Sequence, residues 1–368
     1  MLTYPQAVRY LLERGLLEGE AVVDGELKMI DLSRRNHNLA VITKRRAYLL
    51  KEAADGVRCE GIANEAAFYR WLSSSRPGNE EAGALVRLLP RCFGYDAARG
   101  LIILEFIRGA RDIQQRHAHG RALPERVATR LGESLASLHL ASRTAGATAV
   151  SLRPDDPPWA LSIHKPEYSL IRESSEASIH MIRAIQQFKD FCARLDGVRR
   201  DWSPETLIHG DLKWENCLVA GRGKSTQVKI VDWELARIGD PGWDVGSVFS
   251  AYLRFWLLLV PISAGIPIER SLEFARHPLQ SVQGALRAFW HSYARRMRFG
   301  PGDGERFLLR AVQYSSANLL RLCYEQLQTC FTLTADAVSA LQLSFNILKA
   351  PERAAAELFG LSAGVPVP

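Results

Sequence analysis

Apolar and polar positions change their period along this chain, and each change marks an element. Ala7, Val8, Leu11 and Leu12 recur at helical spacing behind a capping-box-like start, Thr3-Tyr-Pro-Gln6, and predict a short leading helix that stops near Gly15. Shorter runs over residues 21–54 predict three strands, at 21–32, 38–43 and 48–53. A helix over 62–73 follows, with Phe68 and Trp71 on its apolar side, and strands at 85–89 and 101–105 complete a five-stranded antiparallel sheet. Val127, Leu131, Leu135 and Leu138 then keep a helical period up to Ala145, and Asp155-Asp-Pro-Pro-Trp-Ala160 interrupts it. Ile179, Ile182, Ile185, Phe188 and Phe191 give one helix over 174–195 its buried side. From Gly246 onward the pattern is all helical, over 247–260, 268–275, 279–298, 303–330, 333–349 and a short tail helix at 351–359. Ser315, Ser316 and Ala317 in the longest of these allow close packing. The pattern predicts an α+β fold, with a sheet-bearing domain over 1–107 and a larger, mostly helical domain over 108–368.

Composition narrows the class. At 368 residues, 47% hydrophobic and 24% charged, the chain has enough material for two proper cores. Six cysteines lie scattered with no CxxC pair, as free thiols in a reducing compartment would, and no signal-like segment opens the chain, so a cytoplasmic location is expected. The longest apolar run, residues 255–266, holds Pro261 and is too short to span a bilayer, so no membrane association is expected. A net charge of +7 comes from dispersed arginines rather than one basic run, which argues against nucleic acid as a partner.

The candidate chemistry is concentrated between Leu207 and Gly246. Two β-rich runs, 217–220 and 228–231, flank a Gly-Lys-Ser turn. Gly223-Lys224-Ser225 is no phosphate-binding P-loop, because Leu218 stands where that motif needs a glycine and a strand follows. His209-Gly210-Asp211 precedes the first run, Asn216 lies five residues after the aspartate, and Asp232 directly follows the second run. Magnesium prefers hard oxygen ligands, and an Asn carbonyl with an Asp carboxylate at the ends of paired strands can grip it from two sides. A separate carboxylate, Asp211, is then free to orient a hydroxyl and accept its proton.

This order of residues resembles the aminoglycoside phosphotransferase and choline kinase branch of the protein-kinase-like superfamily. The matching positions are His209, Asp211 and Asn216, then Asp232-Trp233-Glu234, then Gly239-Asp240-Pro241 with Asp244. The resemblance implies a bilobal kinase-like fold and an ATP- and magnesium-dependent phosphotransferase with an alcohol group as acceptor. It makes Asp211 the base, with Asn216 and Asp232 holding Mg2+; Asp211-Leu-Lys-x-x-Asn216 also matches protein Ser/Thr kinases, a likeness that many aminoglycoside-type relatives do not share and that implies Lys213 neutralises charge on the transferred phosphate. His209, Asp240 and Asp244 brace the catalytic turn. Lys51, at the end of an apolar run, reaches the phosphates and is held by Glu65. The glycine-free loop 33–38 caps the phosphates through Ser33, Asn36 and Asn38, and backbone groups of Glu105 and Ile107 pair with adenine. His37 and the His117-Ala-His119 pair are read as solvated loop residues, and His139 as structural.

The acceptor is less constrained. Residues 247–368 carry 12 Arg and Lys against 8 Asp and Glu, the wrong sign for clustered carboxylates that would hold a polycationic antibiotic. The 156–170 stretch and residues 211–219 also resemble, more loosely, kinase-like proteins of lanthipeptide-type biosynthesis. That resemblance implies Ser or Thr of a precursor peptide as acceptor and a partner lyase. The aminoglycoside phosphotransferase resemblance implies that Trp159 to Tyr168 is a substrate-contacting loop, the alternative being a Pro-rich surface connector. A small-molecule alcohol, sugar or antibiotic is the alternative acceptor, and a kinase-shaped binding protein the alternative class.

Overall fold

The computed structural model describes residues 2–33, 36–54, 56–74, 80–118, 123–144, 156–221, 223–259 and 278–361. Arg34-Arg35, His119, the helix expected at 268–275 and the Val365-Pro-Val-Pro tail lie outside these residues.

Helix α1 (Tyr4–Glu13) starts with the expected capping box and packs Ala7, Tyr10 and Leu11 onto a five-stranded antiparallel sheet. The strands are β1 (Lys28–Asp31), β2 (His37–Ile42), β3 (Ala47–Glu52), β4 (Cys92–Asp96) and β5 (Leu101–Glu105), in the order β1-β2-β3-β5-β4. Two strand expectations need correction. Residues 20–23 form a helical turn, α2 (Glu20–Val23), and Gly25 at φ +67° turns the chain before β1, so the first strand is much shorter than 21–32. The apolar run 85–89 is no strand. Its first two residues end α4 (Glu80–Val86) and the rest turn out of it, with Leu85 and Leu89 buried at helical spacing; a short apolar run alone does not separate helix from strand. The fifth strand is β4 instead, whose Gly94 sits at a register shift against β5.

The sheet has two working faces because side chains alternate along each strand. Tyr48, Leu50, Leu39 and Ile103 face α1, while Leu49, Ile102 and Leu104 belong to the core that continues into the helical portion. Lys51 shares the face of Leu49. Helix α3 (Gly56–Ser74) crosses below it and carries Glu65 at mid-helix.

A short connection with β6 (Arg111–Asp112) and α5 (Ile113–Ala118) leads to the helical portion. There α6 (Glu125–Thr144) is followed by α7 (Tyr168–Glu173), α8 (Glu176–Gln187) and α9 (Lys189–Arg200). The single helix expected at 174–195 is two: Phe188, at ψ 91° and 56% exposed, breaks it and points to solvent instead of the core. The β7 (Thr206–Ile208) strand pairs with β10 (Arg237–Gly239), and β8 (Cys217–Ala220) with β9 (Gln227–Ile230) forms the expected hairpin. Helices α10 (Pro241–Leu257), α11 (Leu279–Met297), α12 (Asp303–Leu327) and α13 (Ala335–Lys349) close the fold. His117 is not solvated: it is 2% exposed and packs against Trp214, Tyr252 and Phe255. Among the described residues no helix is long and apolar enough to cross a membrane. The mixed α+β architecture, with its antiparallel sheet beside a larger helical portion, is the kinase-like fold.

Candidate active site

Lys51 reaches the cleft because β3 alternates. Its neighbours Tyr48 and Leu50 serve the α1 core, and the lysine is left on the opposite face, 6% exposed. A buried ammonium needs partners. Glu65 of α3, fully buried, accepts from Nζ at 2.9 Å; Asp232 also accepts from it, and Glu234 lies 3.6 Å away. Burial works against the lysine's charge, but these three carboxylates overcome it and hold its pKa well above the usual lysine range. The same burial pushes the Glu65 carboxyl up. The Lys51 ammonium at hydrogen-bond distance and a backbone N–H from Trp233 on its other oxygen, at 3.2 Å, work against that rise.

Helix α3 is fastened to the turn that carries Asp232. Asn64 Nδ2 donates to the carbonyls of Glu234 and Ala236 at 3.1 and 2.8 Å, and Phe68 stacks on Trp233 with centroids 3.9 Å apart and planes at 4°. Asp232 itself has φ 70° and ψ 63°, a left-handed conformation that non-glycine residues rarely adopt. It breaks the strand direction after β9 and turns the carboxylate toward Lys51.

The turn around Asp211 is braced from behind. Asp244, buried on α10, accepts from the backbone N–H groups of His209 and Gly210 at 2.7 and 3.0 Å. His209 Nδ1 accepts the Asp211 N–H at 3.2 Å, so Nε2 carries the proton donated to the Val231 carbonyl at 3.0 Å. Gly210 sits at φ +79°, and a Cβ there would fall 2.5 Å from the Leu235 carbonyl oxygen, so only glycine fits. Asp240 caps α10 through Gly242 N–H at 2.9 Å and accepts from the Tyr314 hydroxyl at 2.9 Å. His139 contacts the same brace, with Nδ1 2.8 Å from the Tyr293 hydroxyl and Nε2 3.5 Å from Asp244. Asn216 Nδ2 donates to the Asp211 carbonyl at 2.9 Å, which leaves its side-chain oxygen for another ligand.

Asp211 is enclosed by cations. Lys213 Nζ lies 3.0 Å from Oδ2, and the Arg321 guanidinium of α12 donates to Oδ1. Glu325, one turn further along α12, lies 3.1 Å from Arg321 and 3.6 Å from Lys213. Burial would raise the Asp211 carboxyl, but Arg321 and then Lys213 hold it far below the usual carboxylate range. The lysine, desolvated but beside Asp211 and Glu325, is raised. Sequence reasoning missed Arg321 and Glu325. A charged pair at i, i+4 inside Asn318-Leu-Leu-Arg-Leu-Cys-Tyr-Glu325 is the only local trace, and the contact to Asp211 spans 110 residues.

A cleft of about 760 Å³ collects these groups. Lys51, Glu65, Asn36, Glu105, Ile107, Asp211, Lys213, Asn216 and Asp232 all line it, with Asn38, Glu234, Arg254 and Glu325. Ser33 does not. It is exposed and turned into its own loop, its hydroxyl 3.0 Å from His37 Nδ1 and accepting the Asn38 N–H at 3.1 Å. No residue from Trp159 to Tyr168 lines the cleft; Trp159 packs edge-on against Tyr324 instead. A larger groove of about 1270 Å³, between α4, α6, α11 and the β8–β9 hairpin, contains none of these groups.

A family model described as the phosphotransferase enzyme family matches residues 26–266. The chain belongs to the phosphotransferase enzyme family. It is therefore an enzyme of the aminoglycoside phosphotransferase and choline kinase-like branch that the 207–246 stretch resembles. Among solved structures, this phosphotransferase is similar in fold to an ethanolamine kinase of Plasmodium vivax, at 12% identity and TM-score 0.55, covering 93% of this chain and 87% of that one. It is likewise similar to a choline kinase from Cryptosporidium parvum, at 14% identity and TM-score 0.55, with 96% of each chain covered. No curated protein matches the sequence.

Proposed function

We propose that this phosphotransferase moves the γ-phosphate of ATP to a hydroxyl, with Mg2+ as cofactor. The observation that carries the reading is the convergence of Lys51, Asp211, Asn216 and Asp232 on one cleft. Magnesium is usually held by one or two carboxylates plus the substrate's own phosphates, so Asp232 and the Asn216 carbonyl oxygen are a sufficient donor set of hard oxygens. Asn36 Oδ1 and Asn38 Oδ1 are buried polar atoms without a hydrogen-bond partner among the described residues, at the end of the cleft where Lys51 enters, and suit a polar ligand there. When bound, the metal supplies charge neutralisation on the phosphates.

The chain's own residues do the rest. Lys51, held by Glu65, contacts the phosphates, and Asn36 with Asn38 covers them. The backbone at Glu105 and Ile107 receives the base. Asp211 orients the acceptor hydroxyl. Its oxygen bonds to phosphorus as the bond to the departing nucleoside diphosphate breaks, and its proton passes to Asp211. Lys213 moves from Asp211 to the transferred phosphate.

For the acceptor we propose Ser or Thr of a precursor peptide, with a lyase acting on the product; a small-molecule alcohol is the second reading. Both are favoured over a quaternary amine by the lining near Asp211. Asp211 and Glu325 are already paired with cations, and Phe106, beside the β5 end, is the one aromatic among the described residues that line the cleft.

The first test is a thermal shift with Mg-ATP on the wild type and Asp232→Ala. The expected result is a metal-dependent rise of several degrees that the variant loses, followed by phosphate transfer to hydroxyl acceptors read by mass spectrometry. No rise in the wild type rejects nucleotide binding. A rise without transfer to any peptide or alcohol favours a kinase-shaped binding protein.

A further inference from the structure

Arg321 occupies a costly position. It is 5% exposed, and Leu319, Leu320, Leu322 and Cys323 around it in α12 are all buried. Taking a guanidinium out of water costs several kcal/mol unless its partners are well placed. Its partners are Asp211 Oδ1 and Glu325 Oε1, and its Nε is buried with no hydrogen-bond partner among the described residues. The charge is therefore spent on one carboxylate of the cleft and one residue that steadies it.

The two oxygens of Asp211 are treated differently. Oδ1 is held by Arg321, a buried side chain on a long helix. Oδ2 is held by Lys213, 20% exposed on a loop, and more loosely by Asn216 at 3.4 Å. One oxygen has a fixed partner, and the other has a partner that can leave. Glu325 lies within 3.6 Å of the same lysine and can receive it.

We infer that Arg321 is a positioning residue for phosphoryl transfer: it locks Asp211 through Oδ1 so that Oδ2 alone faces the acceptor hydroxyl, while Glu325 steadies Arg321 and shares Lys213. The inference rests on the proposed role of Asp211 and adds a requirement that the catalytic-turn motif does not contain. Arg321 touches neither nucleotide nor acceptor in this arrangement. It acts through the direction of one carboxylate, and misplacing a catalytic group by an ångström costs about a hundredfold in rate.

The test uses the full chain with Arg321→Lys and Arg321→Met, and compares turnover of Mg-ATP, the half-saturating ATP concentration and the melting temperature. Phosphate release to water serves as the turnover assay where no better acceptor is known. Lysine keeps the charge but lacks the planar fork that binds Asp211 and Glu325 together. The expected result is a fall in turnover of about tenfold for Arg321→Lys and about a hundredfold for Arg321→Met, with half-saturating ATP within about twofold of wild type. Arg321→Met leaves Asp211 and Glu325 facing each other; where that variant does not fold, Arg321→Lys decides with Glu325→Gln, which removes one charge and is expected to lower turnover without changing ATP saturation. Turnover within about threefold of wild type in the folded variants overturns the inference, as does a loss of ATP saturation in step with turnover. A wild type that neither binds nor turns over Mg-ATP overturns the proposed function itself, and this inference with it.

Discussion

At the scale of single residues, charge and burial decide what each group does. His164 shows this away from the cleft. It is buried, with Nε2 3.1 Å from Asp196 and Nδ1 without a partner among the described residues, while Lys165 lies 2.6 Å from the same carboxylate. Burial, aided by Lys165, lowers its pKa against the pull of Asp196. The unfolded chain then takes up this proton first as pH falls, so the contribution to stability is complete above the ordinary histidine value and is lost below it. The melting temperature is expected to drop between about pH 7.5 and 5.5, and His164→Gln to show a shallower drop. Equal slopes in calorimetry would assign the effect to other groups, among them His291, which burial also lowers. The cleft residues follow the same logic in reverse. Lys51 and Asp211 keep their charges because partners were brought to them, from α3, 14 residues on from the lysine, and from α12, 110 residues on from the aspartate.

At the scale of elements, small residues set how closely helices approach. Ser315, Ser316 and Ala317 of α12 are buried, and Gly246 of α10 lies against them. A Cβ at Gly246 would stand 2.7 Å from the Ala311 carbonyl oxygen and 2.9 Å from Ser315 N, both backbone atoms that cannot swing aside. Gly246→Ala is expected to cost about 1–3 kcal/mol by overpacking, read as a lower midpoint in urea unfolding. An unchanged midpoint would mean that the two helices slide apart freely. Because α10 also carries Asp244, which holds the His209-Gly210 backbone, turnover is expected to fall with the shift. Element boundaries were also where sequence reading failed. The β8–β9 hairpin and the long C-terminal helices have strong periods or turns and were legible, whereas 85–89 and 21–32 are short apolar runs whose state was decided by what they pack against.

At the scale of the whole molecule, charge bears on the acceptor. The chain carries a net +7, yet the described lining of the cleft holds eight carboxylates, Glu65, Glu105, Asp112, Asp211, Glu215, Asp232, Glu234 and Glu325, against the cations Lys51, Lys213 and Arg254. Arg254 has a single hydrogen bond among those described, to Gln326 Oε1 at 3.2 Å. Net charge alone therefore does not exclude a cationic acceptor, and the choice falls to the proposed peptide reading. Ser or Thr peptides are expected to be phosphorylated faster than choline or an aminoglycoside, measured side by side as transferred phosphate. The opposite order would reject the peptide reading of the acceptor.

The sequence by itself determined the α+β class and the hairpin, and it singled out Asp211, Lys213, Asn216 and Asp232 as candidates, because a phosphotransferase motif is local: its spacing is fixed by one turn and one hairpin. Tertiary structure alone decided that Ser33 turns away while Asn38 faces the cleft, that His117 is buried, and that Arg321 and Glu325 reach Asp211. These depend on which faces of distant elements meet. A buried arginine 110 residues from its partner leaves no periodic trace in the chain, and only the packing of α12 against the catalytic turn brings the charges together.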